Sequence, residues 1–384
     1  MKQSKTLRGC LLAAVALLVG AVPAMAQETI KIGAVYATSG PASFLGIPEE
    51  RGLRLRAEEV NKNGGINGRK VEVIVYDTEG NGTKAAQQIR RLIDSDKVHI
   101  VFGPSSSGES LLVLPIANES KVPIIMHAGT EKVVVPPTPY GFNTPPTDRV
   151  VAAHLLGVFK KRGITKIGLL TAADGFGQSG ANVVKEQAAE YGVTVVQHEE
   201  FNRQDPDITA QVLRVKNSQA QAALVWSAFP APTIILKNAA AVGMKMPMYN
   251  SFAAASRDLL VQGGKDAEGT FVSSMRLLAP ETLKDGDPAK PIVVKIFNDY
   301  KAKYNEAPAT FVAHSYDSML ILEEAVKKID GPITRDKIRD AMEKVTVTGG
   351  NGTFKLSPQQ HGLSAESNSM VLLVAKNGEW MVDE

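Results

Sequence analysis

The sequence predicts an α/β fold of two Rossmann-like lobes, on three observations. Apolar strand-like runs alternate with helical stretches through two successive segments, the pattern of βαβ units whose parallel sheet is covered by helices on both faces. Residues 136–146 hold five prolines between those segments, and so dense a run suits neither a helix nor a central strand. The length of 384 residues allows two domains of roughly 150 residues each.

The first segment sets strand-like runs at Ile30 to Tyr36, Val71 to Tyr76, His99 to Phe102 and Val122 to Met126. Helical stretches lie between them near Pro48 to Asn61, Thr83 to Asp94 and Glu109 to Glu119. The second repeats the grammar, with strands at Lys166 to Thr171, Val193 to His198, Ala222 to Trp226 and Met248 to Asn250. Its helices fall near Gln178 to Glu190, Asp207 to Asn217 and Thr233 to Ala241. The proline stretch ends at the first crossing between lobes. After about Ser274 the pattern turns helical at Pro291 to Tyr304, Phe311 to Ile329 and Arg335 to Val345. Strand-like runs at Met370 to Ala375 and Trp380 to Val382 close the chain. The first lobe is thus expected to take residues 27–146 plus about 275–355, and the second residues 147–274 plus about 356–384.

Composition narrows the function. Hydrophobic residues make up 44% and charged residues 22%, ordinary for a packed globular protein. At the N-terminus Lys2, Lys5 and Arg8 precede an apolar run from Cys10 to Val22, followed by Ala24-Met25-Ala26. That order reads as a secretory signal in residues 1–26, cut before Gln27, and the run is too short to span a bilayer. Cys10 begins the apolar run, whereas a lipoprotein anchor needs its cysteine at the end. Removing the signal takes three of the 43 basic residues and none of the 40 acidic ones, so the mature chain carries no basic excess to hold nucleic acid. It also lacks cysteine, which excludes disulfides, thiolate catalysis and cysteine metal sites. An exported monomer without a nucleic-acid partner is the expectation.

Three loops between strand and helix carry the chemistry. Gly103-Pro104-Ser105-Ser106-Ser107-Gly108 offers hydroxyls and exposed N–H groups at a helix start, an anion site without a lysine. A helix cap accounts for one of those serines but not for three. The missing lysine favours a carboxylate over a nucleotide. His127-Ala128-Gly129-Thr130 follows the next strand, and loops at the carboxyl ends of neighbouring strands share one crevice, so the two should converge. His127 is either a cation there or a structural histidine. Gly175-Phe176-Gly177-Gln178-Ser179-Gly180 matches the dinucleotide fingerprint, with Glu199 and Glu200 about 20 residues later where a ribose-binding acid belongs. Asp174 just before it would repel a pyrophosphate, and the alternative is a flexible loop that carries Phe176 to the mouth of a cleft. A nicotinamide-dependent oxidoreductase using Gly175 to Gly180 is therefore a remote alternative. No catalytic set assembles: no H-E-x-x-H, no G-x-S-x-G, and His99, His154, His198, His314 and His361 lie scattered. Neither cofactor, resident metal nor enzymatic activity is expected.

The sequence is strongly similar to the periplasmic substrate-binding proteins of branched-chain amino-acid type ABC transporters. The residues that carry the likeness are Ile32-Gly33-Ala34 through Ser39-Gly40-Pro41, Asn61-Lys62-Asn63-Gly64-Gly65-Ile66-Asn67-Gly68-Arg69, Tyr76-Asp77, Gly103 to Ser107, and Gly175-Phe176-Gly177. The likeness runs over essentially the whole mature chain. It implies the type I periplasmic-binding-protein fold, two lobes joined by three crossovers, a ligand trapped by hinge closure, and delivery to a membrane permease. By this resemblance the ligand-carboxylate contact falls on Ser107, beside Ser106, and the contacts of the next loop on Ala128 and Thr130. The aromatic wall falls on Phe176 and Phe229, and a further first-lobe position on Leu45 beside Phe44.

The family's amino-acid binders place an acid where this sequence has Phe252. An ammonium enclosed without that acid loses hydration worth several kcal/mol. A cation–π contact with Phe252 returns only about 0.5–2 kcal/mol. The resemblance combined with this departure predicts a carboxylate with an apolar, aromatic body and no ammonium, of benzoate or phenylpropanoid type. The alternative is an apolar, branched-chain or aromatic amino acid, with another acid such as Asp174 in place of the missing one.

Overall fold

The computed structural model describes residues 29–367 and 369–383, so the expected signal segment lies outside the described residues. From Ile30 the chain lays down β1 (Ile30–Tyr36), α1 (Ser43–Lys62), β2 (Val71–Asp77), α2 (Gly82–Asp94), β3 (Ile100–Phe102), α3 (Ser107–Glu119), β4 (Ile124–Met126) and β5 (Gly141–Asn143). The five strands form one parallel sheet in the order β2-β1-β3-β4-β5. Successive side chains of a strand face opposite ways. Accordingly Ile32, Ala34 and Tyr36 enter the core under α1, while Val35 enters the core under α2 and α3.

The second lobe holds α4 (Asp148–Lys161), β6 (Lys166–Ala172), α5 (Gly175–Gln187), β7 (Thr194–Phe201), α6 (Thr209–Lys216), β8 (Ala222–Trp226), α7 (Ala231–Ala241), β9 (Met248–Asn250), α8 (Arg257–Gly263) and β10 (Phe271–Ser274). Leu169, Leu224 and Trp226 pack under α4 and α5, and Leu170, Ala223 and Val225 pack under α6 and α7. The remainder is α9 (Lys290–Tyr304), α10 (Val312–Val326), α11 (Arg335–Met342), a small hairpin of β11 (Thr346–Thr348) and β12 (Thr353–Lys355), then β13 (Val371–Lys376) and β14 (Glu379–Val382). Residues of α10 and α11 complete the first lobe's core, whereas β13 and β14 extend the second sheet antiparallel, in the order β14-β13-β10-β9-β8-β6-β7.

The two segments alternate as the sequence predicts, and both parallel sheets share one topology. In each, the second strand lies outside the first and the third lies on its other side. The loops after β1 and β3, and after β6 and β8, therefore part at a switch point beyond the strands' carboxyl ends, where such sheets bind ligands. The chain crosses between lobes three times, after β5, between β10 and α9, and before β13. The last crossing comes later than the expected residue 356: Leu356 and Leu363 still belong to the first core, and the His361 carbonyl accepts from the Asn143 N–H at 2.9 Å.

Beyond α8, β10 and the β11–β12 hairpin, which the sequence reading did not mark, two elements fall in and after the proline stretch. The proline stretch contains β5, only three residues long and at the sheet edge, where a strand next to prolines is tolerated. The stretch after it is helix α4, whose acidic start at Asp148 and basic end at Lys160 and Lys161 are proper helix signals. Among the described residues no helix is long and apolar enough to cross a membrane.

Candidate functional site

The loops at the carboxyl ends of both sheets meet face to face, and residues of both enclose a cavity of about 40 Å³. Leu45, Ser105, Ser106, Ser107, His127, Gly129, Phe311 and His314 line it from the first lobe. Phe176, Arg203, Ala228, Phe252 and Ala253 line it from the second. A wider cavity of about 600 Å³ shares Phe311 and is lined by Phe44 and Phe229, whose ring centroids stand 5.9 Å apart across the gap. Thr130 Oγ1, from the loop after β4, lies 2.9 Å from Ser179 Oγ on α5 and ties the two lobes by a buried contact.

The serine loop divides its three hydroxyls among three tasks. Ser105 donates to the buried Glu49 carboxylate and accepts from the Ala37 N–H at 3.2 Å. Ser106 is the N-cap of α3: it accepts from the Glu109 N–H and donates to Glu109 Oε2 at 2.6 Å. Its hydroxyl is thereby committed, which corrects its expected role as an anion donor. Ser107 accepts from the Thr130 N–H at 3.2 Å, which leaves its own proton to donate into the cavity that it lines. The first intrahelical bond of α3 is Ser110 N–H to Ser106 C=O, so the N–H groups of Ser107 and Gly108 precede the ladder and have no helical acceptor.

The histidine loop is corrected in two places. Both backbone groups of Ala128 are taken by the Asn143 side-chain amide, at 3.0 and 2.9 Å, so Ala128 has no donor for a ligand; Gly129 lines the cavity in its place. His127 is fully buried and stacked on Tyr36, and burial pushes its ring down to about 3, so it is a neutral imidazole and not a cation at neutral pH. The aromatic positions fall in two groups. Phe176 and Phe252 meet edge to face at 5.6 Å over the inner cavity, with Trp226 behind Phe176 at 6.1 Å. Phe44 and Phe229 close the outer one, and Leu45 faces inward.

The Gly175 to Gly180 run is not a loop. It forms the first turns of α5, capped by Asp174, whose Oδ1 accepts from the N–H groups of Phe176 and Gly177. The helix start is thus already occupied by an anion of the chain itself. The glycines serve packing: a Cβ on Gly177 would stand 2.0 Å from the Ala172 carbonyl oxygen, and one on Gly180 would stand 2.2 Å from Trp226 Nε1. A dinucleotide reading has no support in this geometry.

Four charged or titratable residues escape the sequence reading. Arg203, after β7, lines the inner cavity; its Nε is buried without a hydrogen-bond partner, and its guanidinium stands 3.6 Å from Asp174. Nothing in its polar stretch, Asn202 to Asp207, distinguishes it from a solvated loop. Glu49 on α1 is buried behind the cavity, and its carboxyl is pushed upward by burial while the His314 ring and Ser105 hydroxyl pull it back. His314 on α10 joins His127 and Glu49, so one of the scattered histidines, the histidine of the loop after β4 and a carboxylate become one cluster that could hold a metal ion. Asp148, at the start of α4, accepts from Trp226 Nε1 at 3.2 Å, and burial raises its carboxyl to about 7.

The arrangement can close on a small molecule and desolvate it, with donors at one end and rings around the body. Comparison with known proteins agrees with that architecture. The family model described as "Periplasmic binding protein" matches residues 29–379. A Leu/Ile/Val-binding protein homolog of Brucella suis is 26% identical over 88% of this chain and 86% of its own. A leucine-, isoleucine-, valine-, threonine-, and alanine-binding protein of Pseudomonas aeruginosa is 23% identical over 92% of both chains. An extracellular ligand-binding receptor from Rhodopseudomonas palustris superposes with a TM-score of 0.85 at 28% identity, over 93% of this chain and all of its own. With its model matched along nearly the whole described length, the chain belongs to the periplasmic binding protein family.

Proposed function

We propose that the protein is the capture component of an ABC importer, holding a small carboxylate with an apolar body between its lobes before handing it to a membrane permease. The observation that carries this reading is Ser107: its oxygen is occupied by the Thr130 N–H, so its proton is free to meet an anion inside the cavity. Charge-assisted hydrogen bonds of about 1.5–3 kcal/mol each would fix the head group. Leu45, Phe176, Phe252 and Phe311 offer apolar surface to the remainder, at about 25 cal/mol per Å² buried.

For the body of the cargo, the names of the relatives support an apolar, branched-chain amino acid better than an aromatic acid. One feature of the cleft favours the ammonium-free aromatic acid as a second reading. The inner cavity has no carboxylate among its lining residues and does have a guanidinium, Arg203, which repels an ammonium and attracts a second acceptor. Asp174 is engaged as a helix cap and by Arg203, so it does not serve as the substitute acid.

Thermal unfolding with matched pairs separates the readings: leucine against 4-methylpentanoate, and phenylalanine against 3-phenylpropanoate. A cargo at a hundred times its Kd stabilises by about 2.7 kcal/mol, a rise of several degrees. Stabilisation by the amino acids alone supports the branched-chain reading, and stabilisation by their deaminated partners supports the aromatic-acid reading. No response to any carboxylate, with a response to amines or sugars, contradicts the proposal.

A further inference from the structure

We propose that Glu49, His127 and His314 form a site for one divalent transition metal of the zinc class, built into the first lobe's wall of the cleft. This goes beyond the capture reading and rests on contacts which that reading does not use. The three residues come from α1, the loop after β4 and α10, and they are 0%, 3% and 2% exposed. Their donor atoms all lie within 4.8 Å of one another. Glu49 Oε1 stands 3.2 Å from His127 Nδ1 and 3.4 Å from His314 Nδ1. Metal–ligand bonds of about 2.0–2.2 Å at tetrahedral angles set donor–donor edges of roughly 3.3–3.6 Å, which the two edges that meet at Glu49 approach.

The orientation of the groups is the second observation. His127 Nδ1 has no hydrogen-bond partner although a carboxylate oxygen lies 3.2 Å away. The two atoms are close but not aligned on each other, as they are when both point to a common centre. On the far side of the ring, Ser318 Oγ donates to the His314 carbonyl at 2.8 Å and lies 3.0 Å from His127 Nε2. That hydroxyl has spent its proton, so it accepts from Nε2–H and leaves Nδ1 as a bare lone pair. Ser105 holds the other Glu49 oxygen. Outer partners of this kind orient metal-bound imidazoles and carboxylates.

His314 Nδ1 already meets Glu49 Oε1 in a long hydrogen-bond contact of 3.4 Å, whereas His127 Nδ1 and His314 Nε2 are buried without a partner, and a bare nitrogen beside a buried carboxylate is unfavourable unless a cation joins them. One carboxylate and two imidazoles, with no thiolate, suit zinc and its borderline neighbours better than calcium or magnesium. Both histidines line the inner cavity, so an ion reaches the site through the cleft, and the remaining coordination position faces the space meant for cargo.

The test uses the mature protein after chelation and dialysis, titrated with Zn²⁺ by calorimetry and with Co²⁺ by visible absorption. The expected result is one ion per chain and the d–d bands of low-coordinate cobalt. Glu49→Gln and His314→Ala should abolish both, and Ser318→Ala, which touches no metal, should weaken uptake by about 10-fold. Circular dichroism checks that each variant folds, and where Glu49→Gln fails to, His127→Ala replaces it. The proposal is overturned if the wild-type protein takes up no metal or if Glu49→Gln takes up as much. A protein that responds to carboxylates yet takes up no metal sinks this inference alone. One that takes up metal yet responds to no carboxylate sinks the capture reading alone.

Discussion

Arg203 and Ser107 line the inner cavity from opposite lobes. Removing the Ser107 hydroxyl costs a charge-assisted hydrogen bond, so Ser107→Ala should weaken a carboxylate cargo by roughly 10-fold or more in calorimetric titration. Phe252→Glu places an acid in the lining. It should raise affinity for an amino acid relative to its deaminated partner, and an unchanged preference would show that Phe252 does not face the cargo. Asp148 gives a pH test. Its carboxyl titrates near 7 when folded and near its ordinary 3.8 when unfolded, so the folded state keeps a proton that the unfolded chain has lost. Stability should therefore fall as pH rises from about 4 to 7, by about 1.4 kcal/mol per unit for this group. Asp148→Asn keeps an oxygen for Trp226 Nε1 and should flatten that part of the profile in urea unfolding at pH 5 and 8. The loops that carry Ser107 and Phe176 were legible in the sequence because they follow strands, and strand ends face the crevice, whereas Phe252 came from the family resemblance alone. Glu49 was not: within Pro48-Glu49-Glu50-Arg51 it looks like a solvated helix face, and only the packing of α1 against α10 buries it.

Helix α5 forms part of the second lobe's wall of the cleft. Its glycines let it lie against β6 and β8, and the first turn carries Phe176 over the cavity. Gly180→Ala would drive a methyl into Trp226, and overpacking of that kind costs about 1–3 kcal/mol in denaturant unfolding. Gly129→Ala acts differently. Its Cβ would stand 2.5 Å from the Phe176 ring of the opposite lobe, so it obstructs closure while leaving each lobe's core intact. Weaker cargo binding with a nearly unchanged midpoint of cargo-free unfolding is expected; a large loss of stability would show that the contact is not confined to the closed state. The fingerprint-like spacing of α5 is a case where one local pattern serves two physical ends. Glycines that let a backbone approach a pyrophosphate are the same glycines that let a helix approach a strand, and only the Asp174 cap and Trp226 decide between them.

Over the whole molecule, the three crossovers form the covalent hinge between the lobes. Near the hinge Leu277, Val293 and Tyr316 pack with Val371 and Val382, so α9 and α10 bear on strands of the second sheet. Direct bonds between the lobes include the buried pair Thr130 to Ser179 and, beside the first crossing, Arg149 to Glu131. A hydrogen bond of about 1 kcal/mol is enough to shift an open–closed population several-fold, not to lock it. Ser179→Ala should therefore enlarge the radius of gyration of the cargo-free protein in small-angle scattering, and saturating cargo should restore it. The alternation of strands and helices made both lobes readable from sequence, but α4 and the edge strand β5 were missed because the prolines around Gly141 mask a three-residue strand. The late return of the chain was visible as helices, whereas their packing on the first sheet depends on contacts across more than 200 residues, such as Arg56 with Glu323.

The most direct test is a crystal structure of the protein grown with the apolar carboxylate that stabilises it best. The account predicts one carboxylate oxygen on the Ser107 hydroxyl, with the body between Phe176 and Phe252 in the interlobe gap. A carboxylate bound anywhere outside that gap, or turned away from Ser107, would contradict it.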